Sequence, residues 1–339
     1  MPPLSRLSAL VIDVLLFPGL VAAASAQQGE VTYEDLAATY EYRDDLPLNA
    51  EWDEPLEANG EPVRVEFDSL GDVRVPALVG LPSADAYGDG PYPAVIFGHG
   101  LGGSKDEPAY KSALMILLQN GFAGIIIDFP VHGERADQDL EELADGGLGD
   151  LEADQMLGYL QQVTDGTTQA VKDLRRATDL LLTIDQVDPG RIGYAGVSLG
   201  AILGTVFSGV DDRLACTALV VGGADWAAIL GNSQLTETAR DRGNLDPHAL
   251  ASLLQSSDPK YFAPHISAPA LLIFGGQDQV VPYEPAGKLL AELVPEPKQV
   301  VVYQESGHML EHESDQFQAL ITLNSFLTEH LQPGRENAN

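Results

Sequence analysis

The chain has one cysteine, Cys216, among 339 residues. No intrachain disulfide can form, which excludes a disulfide-stapled fold. Cys216 stands in the apolar run Leu214-Ala215-Cys216-Thr217-Ala218 and reads as a buried, inert thiol that packs as a small hydrophobe. Positive charge is scarce as well. Eighteen Lys and Arg, only six of them Lys, face 51 Asp and Glu, for a formal net charge of -33. Such a surface repels phosphate backbones and anionic lipid, so nucleic acid is not an expected partner. An acid-rich, Lys-poor surface would also keep a protein soluble at high salt, and a salt-adapted source is an expectation on that ground. Beyond residue 26 no run reaches the ~18 apolar residues of a membrane span. No repeat period is evident, which argues against a solenoid. What is present is apolar material for a core: 45% of the residues are hydrophobic, which excludes wholesale disorder.

Residues 1–26 carry one basic residue, Arg6, then a mostly apolar stretch from Leu7 to Ala24, then Ala24-Ser25-Ala26. That order predicts a cleavable signal peptide, a secreted or periplasmic protein, and no stable membrane insertion after cleavage, with a retained anchor or a mis-assigned start as the alternatives. Residues 27–59 read as an acidic, loop-like N-terminal extension, with Tyr33, Tyr40, Tyr42 and Trp52 as packing points. The main domain is expected over 60–332, followed by a short tail at 333–339. It opens with Pro62–Phe67 and Val73–Leu81 as an antiparallel strand pair. Short apolar runs then alternate with helical patterns. Strands are expected at Ala94–Phe97, Gly124–Asp128, Arg191–Ala195, Leu219–Val221, Ala270–Phe274 and Gln299–Tyr303, and helices near Ala109–Asn120, near Thr168–Ile184 and from Leu199. Strands separated by helices need crossover connections, so the expected fold is α/β, with a mostly parallel central sheet of about eight strands covered on both faces. Residues 131–167, with the acidic segment Asp137 to Asp150, and residues 224–263 break the alternation and read as insertions, the second a small cap over a site.

The most informative residues are Gly196-Val197-Ser198-Leu199-Gly200. They lie between a predicted strand and an apolar helix, the context a G-x-S-x-G nucleophile turn requires. A serine hydroxyl is a poor nucleophile near neutral pH and needs a base, held in the right tautomer by an acid. His308, in Ser306-Gly307-His308-Met309, follows the last predicted strand and is the candidate base. Asp278, in Gly275-Gly276-Gln277-Asp278, follows another strand and is the candidate acid, with Asp225 as its rival. The order Ser198, Asp278, His308 is the one that accompanies this turn. Gly98-His99-Gly100-Leu101-Gly102-Gly103-Ser104 follows a further strand, and its glycines allow close approach. The backbone N–H groups of Leu101 and Leu199 are therefore the expected oxyanion hole. The loop has neither dinucleotide nor Walker glycine spacing, and nucleotide binding is not expected. His99, Gly100, Phe129 and Trp226 are the expected pocket residues, with His99 also bracing its own loop; the alternative for Trp226, in a stripe with Ile229 and Leu230, is that it packs the insertion onto the body. Asp128 and His132 read as a brace beside the site.

These segments together resemble an α/β-hydrolase-fold serine esterase, nearest the dienelactone-hydrolase and acetyl-esterase branch. The resemblance rests on Phe97 to Gly103, on Ile127-Asp128-Phe129-Pro130-Val131-His132-Gly133 and on Asp188 to Gly200. It extends through Pro269 to Asp278 and Gly307-His308, covering about residues 62–331. Dienelactone hydrolases proper use a cysteine nucleophile, whereas position 198 is Ser, which favours ordinary ester hydrolysis. The resemblance implies a Ser-His-Asp carboxylesterase acting on small-molecule esters; Trp226, Ile229 and Leu230 of the second insertion, if some of them face the pocket, make it small and apolar and point to short to medium acyl groups, and no cofactor is assigned. His308 and His312 lack the third ligand and the spacing of a zinc site, so no metal is assigned. A thioesterase, a peptidase or amidase with the same triad, and a non-catalytic binding protein of the same fold are the alternatives. The insertion at 224–263 is too small for the propeller that often gates such peptidases. Oligomeric state is left open.

Overall fold

The computed structural model describes residues 31–43, 45–136, 153–241 and 246–332, with the side chains of 153–163, 238 and 239 outside the description. The predicted signal segment, most of the acidic insertion and the C-terminal tail thus lie outside the described residues. Among the described residues, one sheet of nine strands has the order β1-β2-β3-β5-β4-β6-β7-β8-β9. The strands are β1 (Glu51–Trp52), β2 (Pro62–Asp68), β3 (Arg74–Gly80), β4 (Tyr92–Gly98), β5 (Ala123–Ile127), β6 (Val187–Val197), β7 (Cys216–Val220), β8 (Ala270–Gly275) and β9 (Lys298–Tyr303). From β5 to β9 in the sheet every pairing is parallel, while β1, β2 and β3 pair antiparallel and β3 joins β5 antiparallel.

Three boundaries differ from those the sequence suggests. The ninth strand, β1, lies in the segment read as a loop-like extension, where Trp52 opposite Val65 sets its register on β2. A two-residue strand is too short for period-2 alternation to show. The helix expected from Thr168 begins at Ala153, so part of the segment assigned to the first insertion is continuous helix. Strand β7 likewise starts at Cys216 rather than Leu219.

Alternation along the buried strands divides the core into two layers. Ala94, Ile96, Ile125, Ile127, Ile192, Tyr194, Leu219, Leu272 and Phe274 face one side, against α2 (Ala153–Leu182) and α3 (Leu199–Val210). Val95, Phe97, Ile126, Ala195, Ala218, Leu271 and Ile273 face the other, against α1 (Pro108–Gln119) and α4 (Glu313–Leu331). Cys216 sits fully buried in the second layer, and burial pushes its thiol up to about 12. The lone cysteine is therefore a packing residue.

Chain order reverses where β4 lies beside β6, with β5 on its other flank. The carboxyl ends of two adjacent strands then feed loops that diverge to opposite faces, which opens a crevice. Gly98 ends β4 and Val197 ends β6, so the glycine-rich loop and Ser198 share that crevice. The segment between β7 and β8 is a run of short helices, beginning at Trp226–Asn232 and ending at Ala263–His265. No helix among the described residues is long and apolar enough to cross a membrane.

Candidate active site

Ser198 occupies the turn between β6 and α3 with φ 56° and ψ -115°, a backbone region that costs a non-glycine residue energy and persists where packing over-determines it. The packing is explicit. A Cβ on Gly196 would fall 2.5 Å from the Gly200 carbonyl oxygen, and one on Gly200 would fall 2.3 Å from the carbonyl oxygen of Gly98. Both glycines are required for the β6–α3 corner to press against the end of β4. The fully buried Tyr194 hydroxyl donates to the Gly200 carbonyl at 2.5 Å, and the Ser198 N–H donates to Val220 at 2.9 Å.

His308 lies in the loop between β9 and α4, which is fixed by short-range bonds. Ser306 Oγ donates to Asp315 at 2.7 Å, the Gly307 N–H donates to Glu311 at 2.7 Å, and the Gln277 N–H donates to the Ser306 carbonyl at 2.9 Å. The imidazole then spans two partners: Nε2 lies 2.9 Å from Ser198 Oγ and Nδ1 lies 2.7 Å from Asp278 Oδ2. Asp278 is 6% exposed, and its other oxygen accepts the N–H groups of Val280 and Val281 at 2.8 and 3.0 Å. With Nδ1–H donating to a carboxylate, Nε2 presents its lone pair to the serine hydroxyl, the orientation a general base needs.

Asp225, the rival acid, does something else. It is the N-cap of Trp226–Asn232, accepting from the Ala227 and Ala228 N–H groups, and it pairs with Lys260 at 3.3 Å. The structure brings Asp278, and not Asp225, to His308.

The glycine-rich loop turns back over Leu101 and Gly102, the Gly103 N–H donating to the Gly100 carbonyl at 3.0 Å with Gly102 at φ 75°. The Gly100 N–H donates to the Tyr110 hydroxyl at 2.9 Å. Gly100 packs beside the nucleophile, since a Cβ on it would lie 3.5 Å from Ser198 Cβ. The N–H groups of Leu101 and Leu199 have no hydrogen-bond partner among the described residues, as an oxyanion hole requires before substrate enters.

Three of the four expected pocket residues are buried. His99 and Phe129 are 0% and 1% exposed and lie beneath the loop rather than on a substrate surface. His99 Nδ1 is 2.8 Å from the Gly100 carbonyl, its Nε2 accepts the Phe129 N–H at 3.1 Å, and the two rings pack at 4.4 Å. Burial, with the neighbouring His132, pulls the His99 imidazole down to about 3, so it is neutral at working pH. Trp226, 8% exposed, packs with Ile202, Ile229, Leu230, Leu254 and Val281, and its indole N–H donates to the Ser257 carbonyl at 3.1 Å. It fastens the insertion to the body. A stripe at helical spacing looks the same in sequence whether it faces a pocket or a core.

Beside the loop stands a carboxylate cluster of Asp106, Asp128 and Glu134, with one oxygen from each within 4.8 Å of the others. The positive charge there is Lys105, whose Nζ is 2.5 Å from Asp106, 3.1 Å from Asp128 and 2.5 Å from Glu134. Burial pulls that ammonium down, but the three carboxylates outweigh it and the net shift is upward. Glu134 is held down to about 2, chiefly by hydrogen bonds from Arg64. Asp128 and His132 act here as the brace expected of them: Asp128 accepts the Lys105 and Glu134 N–H groups at 2.7 and 3.0 Å, and His132 Nδ1 is 2.8 Å from the Pro130 carbonyl. Lys105, Arg64 and Tyr110 were not singled out by the sequence reading. None has a spacing signature: Lys105 finds Asp128 and Glu134 beyond the end of β5, Arg64 reaches Glu134 from β2, and Tyr110 meets the Gly100 N–H only where the loop folds back.

Comparison with known proteins bears on this arrangement directly. The model of the prolyl oligopeptidase family, Peptidase_S9, matches residues 160–334, just over half of the chain and a span that holds Ser198, Asp278 and His308. The chain belongs to the prolyl oligopeptidase family. It is thus a hydrolase of α/β-hydrolase fold, as the sequence resemblance implied. Among solved structures it is similar to acetyl xylan esterase 1 from Thermoanaerobacterium sp. JW/SL YS485, at 17% identity and TM-score 0.69, over 87% of this chain and 93% of that one. It is also similar to the acetyl xylan esterase from Paenibacillus sp. R4, at 20% identity and TM-score 0.66, over 96% and 99%. The acylaminoacyl peptidase of Pyrococcus horikoshii aligns at 16% identity and TM-score 0.64, over 82% of this chain but 43% of that one. At these identities the likeness is one of fold. No curated protein matches the sequence.

Proposed function

We propose that the protein is a serine carboxylesterase that hydrolyses short to medium acyl esters through an acyl-enzyme. The observation that carries this reading is the continuous relay from Ser198 Oγ through His308 to Asp278, at 2.9 and 2.7 Å. His308 Nε2 accepts the Ser198 proton as Oγ attacks the ester carbonyl. The oxygen of that carbonyl, now negative, is held by the Leu101 and Leu199 N–H groups. The alkoxide leaves with the proton carried on Nε2, and water then repeats the sequence on the acyl-serine, regenerating the enzyme. Asp278 keeps Nδ1 protonated and offsets the charge of the transient imidazolium.

The ester preference is supported by the acetyl xylan esterases, which the chain spans over 93% and 99% of their length. An amidase or peptidase reading is favoured by the family's name and by the acylaminoacyl peptidase likeness. It shares every residue of the relay, so substrate decides. The test is kcat/KM along an acyl series of p-nitrophenyl esters, with the matching N-acyl anilides beside it. Hydrolysis of acetyl to hexanoyl esters, with roughly tenfold steps along the series, supports the reading; a long-chain optimum or faster anilide cleavage overturns it. Secretion or periplasmic export is proposed from the order of residues 1–26 alone.

A further inference from the structure

We propose that Lys105 and Asp128 are positioning residues that hold the oxyanion hole open toward Ser198; the inference rests on the reading of Ser198 as nucleophile. The loop carrying Leu101 is anchored at both ends, and both anchors belong to the two residues that follow β5. At the front, the Phe129 N–H donates to His99 Nε2 while His99 Nδ1 lies on the Gly100 carbonyl. At the rear, Asp128 takes the Lys105 N–H on one carboxylate oxygen at 2.7 Å and the Lys105 ammonium on the other at 3.1 Å.

Between the anchors, the Gly100, Gly103 and Lys105 N–H groups are engaged, while those of Leu101, Gly102 and Ser104 make no bond among the described residues, and the Leu101 N–H is the one assigned to the site. The rear clamp is built in. The Lys105 and Asp128 side chains are 1% and 0% exposed, and a Cβ on Gly133, at φ 57°, would fall 2.3 Å from Asp128 Cγ. Only glycine lets the 133 backbone close over that carboxylate. Glu134 ties the ammonium onward to Arg64 of β2 at 2.8 and 2.5 Å. An ammonium held on three sides by charge-assisted hydrogen bonds keeps one geometry, and its loss would leave the buried Asp128 carboxylate without a countercharge. Since preorganised donors act only if they do not move as the oxyanion forms, the clamp sets transition-state binding and leaves ground-state binding alone.

The test compares full-length wild type with Lys105→Met and Glu134→Gln, the second keeping an acceptor for the ammonium at a half-exposed position. Competent sites are counted by titration with a fluorophosphonate. Then kcat and KM for an acetyl ester are measured per site, with the inhibition constants of a trifluoromethyl ketone, which forms an oxyanion on Ser198, and of the matching amide, which does not. Lys105→Met is expected to lower kcat per site on the order of 10- to 100-fold. The ketone should weaken by a similar factor, with KM and amide binding within about threefold. Glu134→Gln should shift the same two readouts by several-fold, and it carries the test if Lys105→Met does not fold. Unchanged kcat and ketone affinity per titrated site, or equal loss of ketone and amide binding, overturns the clamp. Wild type that does not label at Ser198 would instead sink the nucleophile assignment beneath it.

Discussion

Replacing Asp278 with Asn separates orientation from mere proximity. In the native site one carboxylate oxygen accepts from Val280 and Val281, and the other faces His308 Nδ1 at 2.7 Å. An asparagine keeps the two backbone bonds only by placing its carbonyl where Oδ1 was, which turns its NH2 toward His308. A donor there makes Nδ1 the acceptor, moves the ring proton to Nε2, and points that proton at Ser198 Oγ. The base is then blocked with the geometry intact. Such tautomer reversal costs ~10⁴ in kcat, about 5.4 kcal/mol of transition-state stabilisation at 1.36 kcal/mol per decade. The assay is initial-rate hydrolysis of p-nitrophenyl acetate with matched Tm measurements. Asp225→Asn is the control, because its carboxylate caps Trp226–Asn232 and pairs with Lys260; asparagine caps as well as aspartate, so loss of the ion pair should cost at most about 1 kcal/mol of stability and leave kcat within a few-fold. An Asp278→Asn enzyme within tenfold of wild type, or a larger loss in Asp225→Asn, would refute the assignment.

Gly200→Ala would place a Cβ 2.3 Å from the Gly98 carbonyl oxygen, so soluble yield and Tm should fall together with activity; an active, stable variant contradicts the corner packing. Trp226→Ala should cost roughly 3–5 kcal/mol in urea unfolding while leaving the acyl-length profile unchanged, and an altered profile would return the tryptophan to the substrate surface. The pH dependence of stability follows from His99. Its folded-state pKa is depressed from 6.5 to about 3, so the unfolded chain binds the extra proton first. Stability is complete above about 6.5 and is lost as pH falls toward about 3. Urea midpoints from pH 7 to 4.5 should decline less steeply in His99→Gln than in wild type, and identical slopes would show that His99 is not buried neutral.

Most of the framework is local in character, and that is why it was legible. The G-x-S-x-G turn between a strand and an apolar helix is contiguous, as are the Gly-rich loop and the strand-plus-Asp segment, and each works through its own backbone. The two-layer core follows from apolar runs that must be buried on both sheet faces. What escaped was decided between segments. Strand β1 exists because β2 offers it an edge, and α2 starts at Ala153 inside a stretch whose apolar pattern is weak. Phe129 and His99 read as pocket residues because they flank the loop, yet the loop closes over them. Lys105 meets Asp128 and Glu134 only after β4 and β5 lie side by side, and no spacing in the chain announces it.

The central claim is that Ser198 is the nucleophile. Intact-mass analysis after incubation with a fluorophosphonate, followed by peptide mapping, tests it most directly. One adduct per chain is expected, on Ser198, absent from Ser198→Ala, with ester turnover lost by on the order of 10⁴ to 10⁶ in that variant and its Tm close to wild type. An unlabelled wild type, an adduct on another residue, or a Ser198→Ala protein that still turns over esters at the native rate would contradict it.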